Sequence, residues 1–126
     1  MSTSAPIATV LLVEDEAMLR MVAAETMRDA GYVVYEAADG VTALQLLKDH
    51  SDIGLLFTDV KMPGMNGYQL ALASLSLKPR VKILLMTGYA SDPVPQEIAK
   101  ACVPILRKPF DMDVLPQIAS ELQNRP

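Results

Sequence analysis

The sequence predicts an α/β fold in which one parallel sheet is covered by helices on both faces. Apolar runs typical of buried strands alternate with segments of helical periodicity, and this alternation repeats five times along the chain. Runs such as residues 8–13 and 81–86 are almost entirely apolar, as expected for strands covered on both faces. The length of 126 residues predicts a single domain.

The first two strand–helix units are predicted over residues 8–13 and 16–30, then 32–36 and 40–50. Gly31 stands where a helix-ending residue belongs, and Asp39 is a suitable N-cap for the second helix. Five apolar residues of the first helix recur at helical spacing: Met18, Leu19, Val22, Ala23 and Met27.

The third unit joins the apolar strand 53–58 to a helix over 68–77 through a turn marked by Pro63, Gly64 and Gly67. The fourth strand is predicted over residues 81–86. A helix capped by Asp92 could follow it, but Pro95 disfavours helical geometry in the residue before it. The fourth helix is therefore expected to be short and to start near Pro95.

The fifth strand is predicted over residues 103–107, where Pro104 cannot donate to a neighbouring strand. This proline places the strand at an edge of the sheet. The last helix contains Pro116, which is tolerated only in a first turn, so Asp113 is the expected cap.

These constraints, together with right-handed crossovers, favour the strand order 2-1-3-4-5 of a flavodoxin-like (βα)5 three-layer sandwich. The fifth strand is then at an edge, and the most apolar strands are inside. Because the carboxyl ends of parallel strands share one edge, five polar residues are predicted to meet there: Glu14, Asp15, Asp59, Thr87 and Lys108.

This set of side chains indicates a site that handles phosphoryl groups. Crowded carboxylates repel one another unless a cation lies between them, and hard oxygen ligands favour Mg²⁺. Thr87 offers a hydroxyl donor and Lys108 a positive charge for phosphate oxygens. A carboxylate among them can act as the nucleophile.

The bulk composition limits the partners and the compartment. The net charge is −4 and no basic run is present, so direct binding to nucleic acid is not expected. No apolar run is long enough to span a membrane. The single cysteine, Cys102, is expected to pack as a small hydrophobe, and the lack of a disulfide framework indicates a cytoplasmic protein.

Four motifs occur in the order and at the spacing of a known family: VLLVEDE, FTDVKMPGMNG, MTGYA and RKPF. With them the chain resembles the receiver domain of two-component response regulators, in particular single-domain, CheY-like proteins. The resemblance extends from about Thr9 to Leu122. It implies one receiver domain over residues 1–126, with a core over about 8–123 and a flexible tail over 1–7.

The resemblance also implies a role for each site residue. Asp59 would accept a phosphoryl group from the phosphohistidine of a sensor histidine kinase or a histidine phosphotransfer protein. Glu14, Asp15, Asp59 and the carbonyl of Lys61 would hold Mg²⁺. Thr87 and Lys108 would bind the phosphoryl group, and a cis peptide at Pro109 would hold the lysine. Such a protein is a phosphoacceptor rather than an enzyme, apart from self-catalysed phosphotransfer and dephosphorylation.

Two features depart from the family. Receivers commonly have an aromatic switch residue three positions before the lysine, where this chain has Ile105. The proline-rich fourth helix also differs on the face that carries output. We therefore expect the signal to reach a downstream protein by reshaping of residues 90–101 rather than by a side-chain switch at Ile105.

Other functions stay open on the sequence alone. The chain could be a pseudo-receiver that only binds partners, or a receiver domain excised from a hybrid histidine kinase. A flavodoxin-like electron carrier is disfavoured because Glu14, Asp15 and Glu16 would repel a flavin phosphate. An aspartyl-phosphate hydrolase usually needs a second aspartate where this chain has Lys61.

Overall fold

A computed structural model describes residues 8–88 and 93–125, in which strands and helices alternate. The strands are β1 Thr9–Val13, β2 Val33–Ala37, β3 Ile53–Asp59, β4 Lys82–Thr87 and β5 Ile105–Arg107. The helices are α1 Ala17–Asp29, α2 Gly40–Asp49, α3 Gly67–Leu77, α4 Gln96–Lys100 and α5 Val114–Gln123.

The five strands are parallel and follow the order β2-β1-β3-β4-β5, which confirms the predicted flavodoxin-like fold. All five residues of β1 are buried, as expected for an inner strand. At the edge, the Leu85 N–H donates to the carbonyl of Pro104 at 3.0 Å, but the proline has no N–H to return. The regular strand β5 accordingly starts at Ile105, two residues later than predicted.

Alternate residues of the inner strands pack against different helices, so the sheet is the middle of three layers. Val10 and Leu12 belong to a core that contains apolar residues of α1 and α5. Leu11 and Val13 belong to a second core with residues of α2, α3 and α4. The two cores fix the strands in register, and this rigid centre places the loops at the carboxyl edge.

Local signals set the ends of several helices. The Asp39 side chain accepts a hydrogen bond from the Thr42 N–H at 2.8 Å and caps α2, as predicted. Gly31 follows α1 with φ 100°, a conformation in which a glycine is favoured. At α5, Asp113 is the N-cap residue but its side chain makes no capping bond; instead its N–H donates to Asp111 Oδ1 at 3.0 Å.

The prediction that Cys102 packs as a small hydrophobe is wrong. Cys102 is exposed and has φ 56°. It follows Ala101, the C-cap of α4, and a residue in the left-handed conformation is a common way to end a helix.

The first half of α1 is less buried than its apolar spacing predicts. Ala23 and Met27 are buried, whereas Met18 is 68% exposed and Val22 is 42% exposed. The short α4 begins after Pro95, as predicted, and the proposed cap Asp92 lies outside the described residues. Within residues 8–88 and 93–125, none of the helices has the length and apolar character needed to cross a bilayer.

Candidate phosphoacceptor site

The carboxyl ends of β1, β3 and β5 bring four charged side chains together. Asp59 is the last residue of β3 and is 6% exposed. Glu14 and Asp15 directly follow β1, and Lys108 directly follows β5. Carboxylate oxygens of Glu14, Asp15 and Asp59 lie within 4.8 Å of one another. The fold therefore collects three acids and one lysine at a single point of the sheet edge.

Lys108 contacts two of these acids. Its Nζ lies 3.1 Å from Oδ1 of Asp59 and 3.3 Å from Oε1 of Glu14. Its backbone N–H donates to the Thr87 carbonyl at 2.8 Å, and the Lys108–Pro109 peptide is cis. Burial acts to lower the pKa of Lys108, but the hydrogen bond and charge of Asp59, together with Glu14, raise this pKa overall. The lysine therefore carries its positive charge at neutral pH.

Glu14 is the most buried acid of the β1–α1 loop. Its N–H donates to the Ala37 carbonyl at 3.1 Å, and its Oε2 accepts from the Glu16 N–H at 3.3 Å. Burial, and next the nearby charge of Asp59, raise the pKa of Glu14 to about 7. Glu14 therefore holds a proton more readily than an exposed glutamate does.

An open cavity of about 780 Å³ gives access to this point from solvent. Its lining includes Glu14, Asp15, Asp59, Lys61 and Lys108. Thr87, by contrast, is absent from the lining, and it is buried as the last residue of β4. Its neighbour Met86 pairs with Asp59 across the sheet, so Thr87 lies one residue beyond the strand position beside Asp59.

The acid cluster fits a hard divalent cation. Oxygens that ligate one Mg²⁺ lie within about 4 Å of one another, because each Mg–O distance is about 2.1 Å. The three carboxylate oxygens lie within 4.8 Å of one another, so they are already grouped on the scale of such a site. Three carboxylates and one ammonium sum to a charge of −2 when all are ionised, which complements a dication.

Gly67 permits a close backbone approach behind Asp59. Its N–H donates to the Val60 carbonyl at 2.8 Å. A Cβ at this position would overlap the carbonyl oxygen of Asp59 and would lie 2.7 Å from the Cα of Val60. The sequence predicts a turn at Gly67, but no sequence pattern shows that the first turn of α3 packs directly on the strand end.

Arg20 is a second residue whose contact the sequence does not predict. Its Nη1 donates to the backbone carbonyl of Glu14 at 2.8 Å. Beside Lys108 there is also an apolar cavity of about 250 Å³, lined in part by Leu12, Leu19 and Phe110. An arginine six residues after an acid has no characteristic pattern, and such a cavity depends on packing between distant elements.

Comparison with known proteins identifies the family to which the chain belongs. Residues 10–120 match the family described as "Response regulator receiver domain". The chain belongs to this family. Receiver domains are signalling proteins of two-component systems rather than classical enzymes, and they interact with histidine kinases or phosphotransfer proteins.

Two proteins from Brucella abortus are similar in sequence to this receiver domain. The response regulator receiver protein CpdR is 33% identical over 104 residues, which cover 82% of this chain and 86% of CpdR. The sensor kinase CckA is 36% identical over 117 residues, which cover 91% of this chain but only 12% of the kinase. The chain therefore corresponds in length to most of the first relative and to a small part of the second.

A solved structure agrees with the fold of this receiver domain. The response regulator protein TrrA from Thermotoga maritima, in complex with Mg²⁺ and BeF, superposes with a TM-score of 0.81 at 27% identity. The match covers 91% of this chain and 98% of TrrA.

Proposed function

We propose that this receiver domain accepts a phosphoryl group on Asp59 in a reaction that depends on Mg²⁺. One observation carries the proposal. The Asp59 carboxylate lies at the edge of an open cavity, within 4.8 Å of two other acids and 3.1 Å from the Lys108 ammonium. This arrangement combines a nucleophile, a candidate cation site and a fixed positive charge, which phosphoryl transfer requires.

Each residue has a defined part in the transfer. A carboxylate oxygen of Asp59 attacks the phosphorus, the new O–P bond forms, and the P–N bond to the donor histidine breaks. The imidazole leaves with the electron pair and takes a proton from solvent. Lys108 stabilises the negative charge of the phosphoryl oxygens, and the Thr87 hydroxyl donates a hydrogen bond to one of them.

Glu14, Asp15, Asp59 and the Lys61 carbonyl are the proposed holders of Mg²⁺. The ion supplies charge neutralisation for the phosphoryl oxygens when it is bound. The acid cluster supports this assignment, as does the Mg²⁺ complex of the related TrrA. With the same groups in place, water attack on the aspartyl phosphate accounts for the proposed self-catalysed dephosphorylation.

Phosphorylation by acetyl phosphate and Mg²⁺ tests the proposal. Intact-mass spectrometry should show one added phosphoryl group, located at Asp59 by peptide mapping. Asp59→Asn should remove the addition. Asp52→Asn, at the opposite edge of the sheet, should keep it, because Asp52 precedes β3 and accepts a hydrogen bond from Thr9 Oγ1 at 3.3 Å there. A wild-type chain that takes up no phosphoryl group would instead act as a binding-only pseudo-receiver.

The proposed partners are a sensor histidine kinase or a histidine phosphotransfer protein, and a downstream protein target. We propose a regulator that acts on its own, which the 86% coverage of CpdR supports, and we propose that it works in the cytoplasm. The match to CckA supports the alternative of a receiver domain within a hybrid kinase. The net charge of −4 supports signalling by protein contact or phosphorelay rather than by direct binding to nucleic acid.

Output is proposed to use the segment around α4. Ile105 is partly buried against the core formed with α2, α3 and α4, which limits its freedom to change rotamer. The helix α4 has five residues, and Pro93 and Pro95 before it are outside regular structure. Amide exchange over residues 93–101, with and without beryllofluoride, tests this idea. Unchanged protection in this segment would contradict it.

A further inference from the structure

The guanidinium of Arg20 connects helix α1 to residues 14–16 between β1 and α1, which we call the acidic loop. Arg20 is the fourth residue of α1, and its side chain is 22% exposed. Nη1 donates to the backbone carbonyl of Glu14 at 2.8 Å. Since the Glu14 N–H already donates to Ala37 at 3.1 Å, both backbone polar groups of Glu14 are held.

A second contact fixes the guanidinium itself. Nε of Arg20 lies 3.6 Å from Oε1 of Glu36 in β2, and the other carboxylate oxygen of Glu36 lies 2.9 Å from Nη1 of Arg28. Glu36 pairs with Leu12 of β1 across the sheet, so it is anchored close to the start of the acidic loop. Arg20 therefore spans two strand ends and one helix.

We infer that Arg20 is a positioning residue for the acid cluster, holding the Glu14 backbone so that the Glu14 and Asp15 carboxylates face Asp59. The inference rests on the proposed function insofar as this cluster binds Mg²⁺. Ligands that must converge on a small ion within narrow geometric limits depend on the groups that orient them. Arg20 contacts a carbonyl of the loop and does not supply a ligand.

The charge of Arg20 and its positioning role predict opposite changes in Mg²⁺ affinity when the side chain is removed. Removing a cation beside a dication site reduces repulsion and should tighten Mg²⁺ binding. Removing a group that orients the ligands should weaken it. The direction of the change in the dissociation constant for Mg²⁺ therefore separates the two roles of Arg20.

Arg28 provides a matched control on the same helix. It also pairs with Glu36, and its Nη2 donates to a backbone carbonyl, that of Val34, at 2.8 Å. That carbonyl lies within β2, away from the acids. Arg28→Ala therefore removes the same charge, the same ion-pair partner and a comparable hydrogen bond without releasing the acidic loop.

Mg²⁺ titrations of the full chain, followed by amide chemical shifts at one fixed pH, provide the first test. Arg20→Ala is expected to raise the dissociation constant about tenfold, the lower range for loss of a group that orients metal ligands. Arg28→Ala should change it by less than about twofold. Arg20→Met, which keeps the apolar stem, should match Arg20→Ala and separates the contact from lost packing.

Amide exchange of the metal-free chain provides the second test and does not depend on Mg²⁺. The amides of residues 14–16 should lose protection in Arg20→Ala but not in Arg28→Ala. If the wild-type chain binds no Mg²⁺, the proposed function fails, and this exchange result still decides whether Arg20 holds the loop. Unchanged exchange, or an Arg20→Ala affinity equal to or tighter than that of Arg28→Ala, would overturn the inference.

Discussion

The ammonium nitrogen of Lys108 lies 3.1 Å from Oδ1 of Asp59 and 3.3 Å from Oε1 of Glu14. Lys108 thus neutralises part of the charge of two buried acids before any phosphoryl group arrives. The same ammonium is in reach of a group bound to Asp59. Under the proposed function, the ammonium moves from these carboxylates to the phosphoryl oxygens on Asp59.

Lys108→Ala is expected to lower the rate of phosphorylation by acetyl phosphate roughly a hundredfold, because a fixed donor for developing negative charge is lost. The rate is measured by intact-mass spectrometry over time. Lys48→Ala, which removes an exposed lysine from α2, is the control for a change in net charge. Equal rates for Lys108→Ala and Lys48→Ala would show that Lys108 has no part in the transfer.

Gly67→Ala is expected to lower the free energy of unfolding by about 1–3 kcal/mol, because the new methyl group would overlap the Asp59 carbonyl oxygen. Urea unfolding followed by circular dichroism measures the change. Gly54→Ala, near the start of β3, is the control, since a Cβ there would meet no atom within 4 Å. A loss for Gly54→Ala as large as that for Gly67→Ala would refute the steric explanation.

The sheet and the residues of the site follow from features that are local in the sequence. The apolar run of β3 ends on Asp59, and the order of the strands then places that end beside Glu14 and Lys108. Contacts between distant elements are different. The approach of Gly67 to β3 and the bond from Arg20 to Glu14 depend on side-chain packing that no periodicity records.

Burial within a helix was also only partly predictable. Helical spacing identifies an apolar face, but it does not show how much of that face the sheet covers. Ala23, Ala24 and Met27 in the second half of α1 pack in the core, whereas Leu19 lines the cavity at the sheet edge. The exposure of Cys102 does not follow from its residue type, since it stands in the left-handed conformation directly after the C-cap of α4.

The raised pKa of Glu14 predicts how stability depends on pH in the metal-free protein. The folded value of about 7 lies above the ordinary 4.5, so the folded state binds more protons between these values. The contribution of this proton binding to the free energy of unfolding is fully present below pH 4.5. It is lost as the pH rises through about 7, and the total loss is up to about 3 kcal/mol.

Urea unfolding in EDTA across this range measures the effect of Glu14, with Glu14→Gln as the matched variant that does not titrate. As the pH rises, the free energy of unfolding of the wild type should fall relative to that of the variant. A difference that stays constant between pH 4.5 and 7 would contradict the raised pKa.

Cys102→Gly is expected to raise the free energy of unfolding by about 1 kcal/mol. The backbone at this position has φ 56°, which costs a residue with a Cβ about 1–2 kcal/mol and a glycine much less. Cys102→Ala is the control, because it removes the exposed thiol but keeps the Cβ. The prediction fails if the alanine and glycine variants have the same midpoint of urea unfolding.

An exposed apolar surface on α1, formed by Met18, Met21 and Val22, is predicted to contact the phosphodonor protein. These side chains are 68%, 51% and 42% exposed, and Leu19 on the same helix lines the cavity over Asp59. Exposed apolar residues grouped beside a reactive site are typical of a protein-binding surface. Under the proposed function, a donor that delivers a phosphohistidine to Asp59 approaches close to this helix.

Phosphotransfer profiling first identifies the histidine kinase that phosphorylates the chain. The double variant Met18→Ser/Met21→Ser should slow phosphotransfer from this kinase roughly tenfold, which corresponds to about 1.4 kcal/mol. The rate with acetyl phosphate should not change, because that small donor needs no docking surface. Leu77→Ser, which alters a 40% exposed residue at the far end of α3, should change neither rate. An equal loss with both donors would indicate damage to the site itself, and no loss with the kinase would place the docking surface elsewhere.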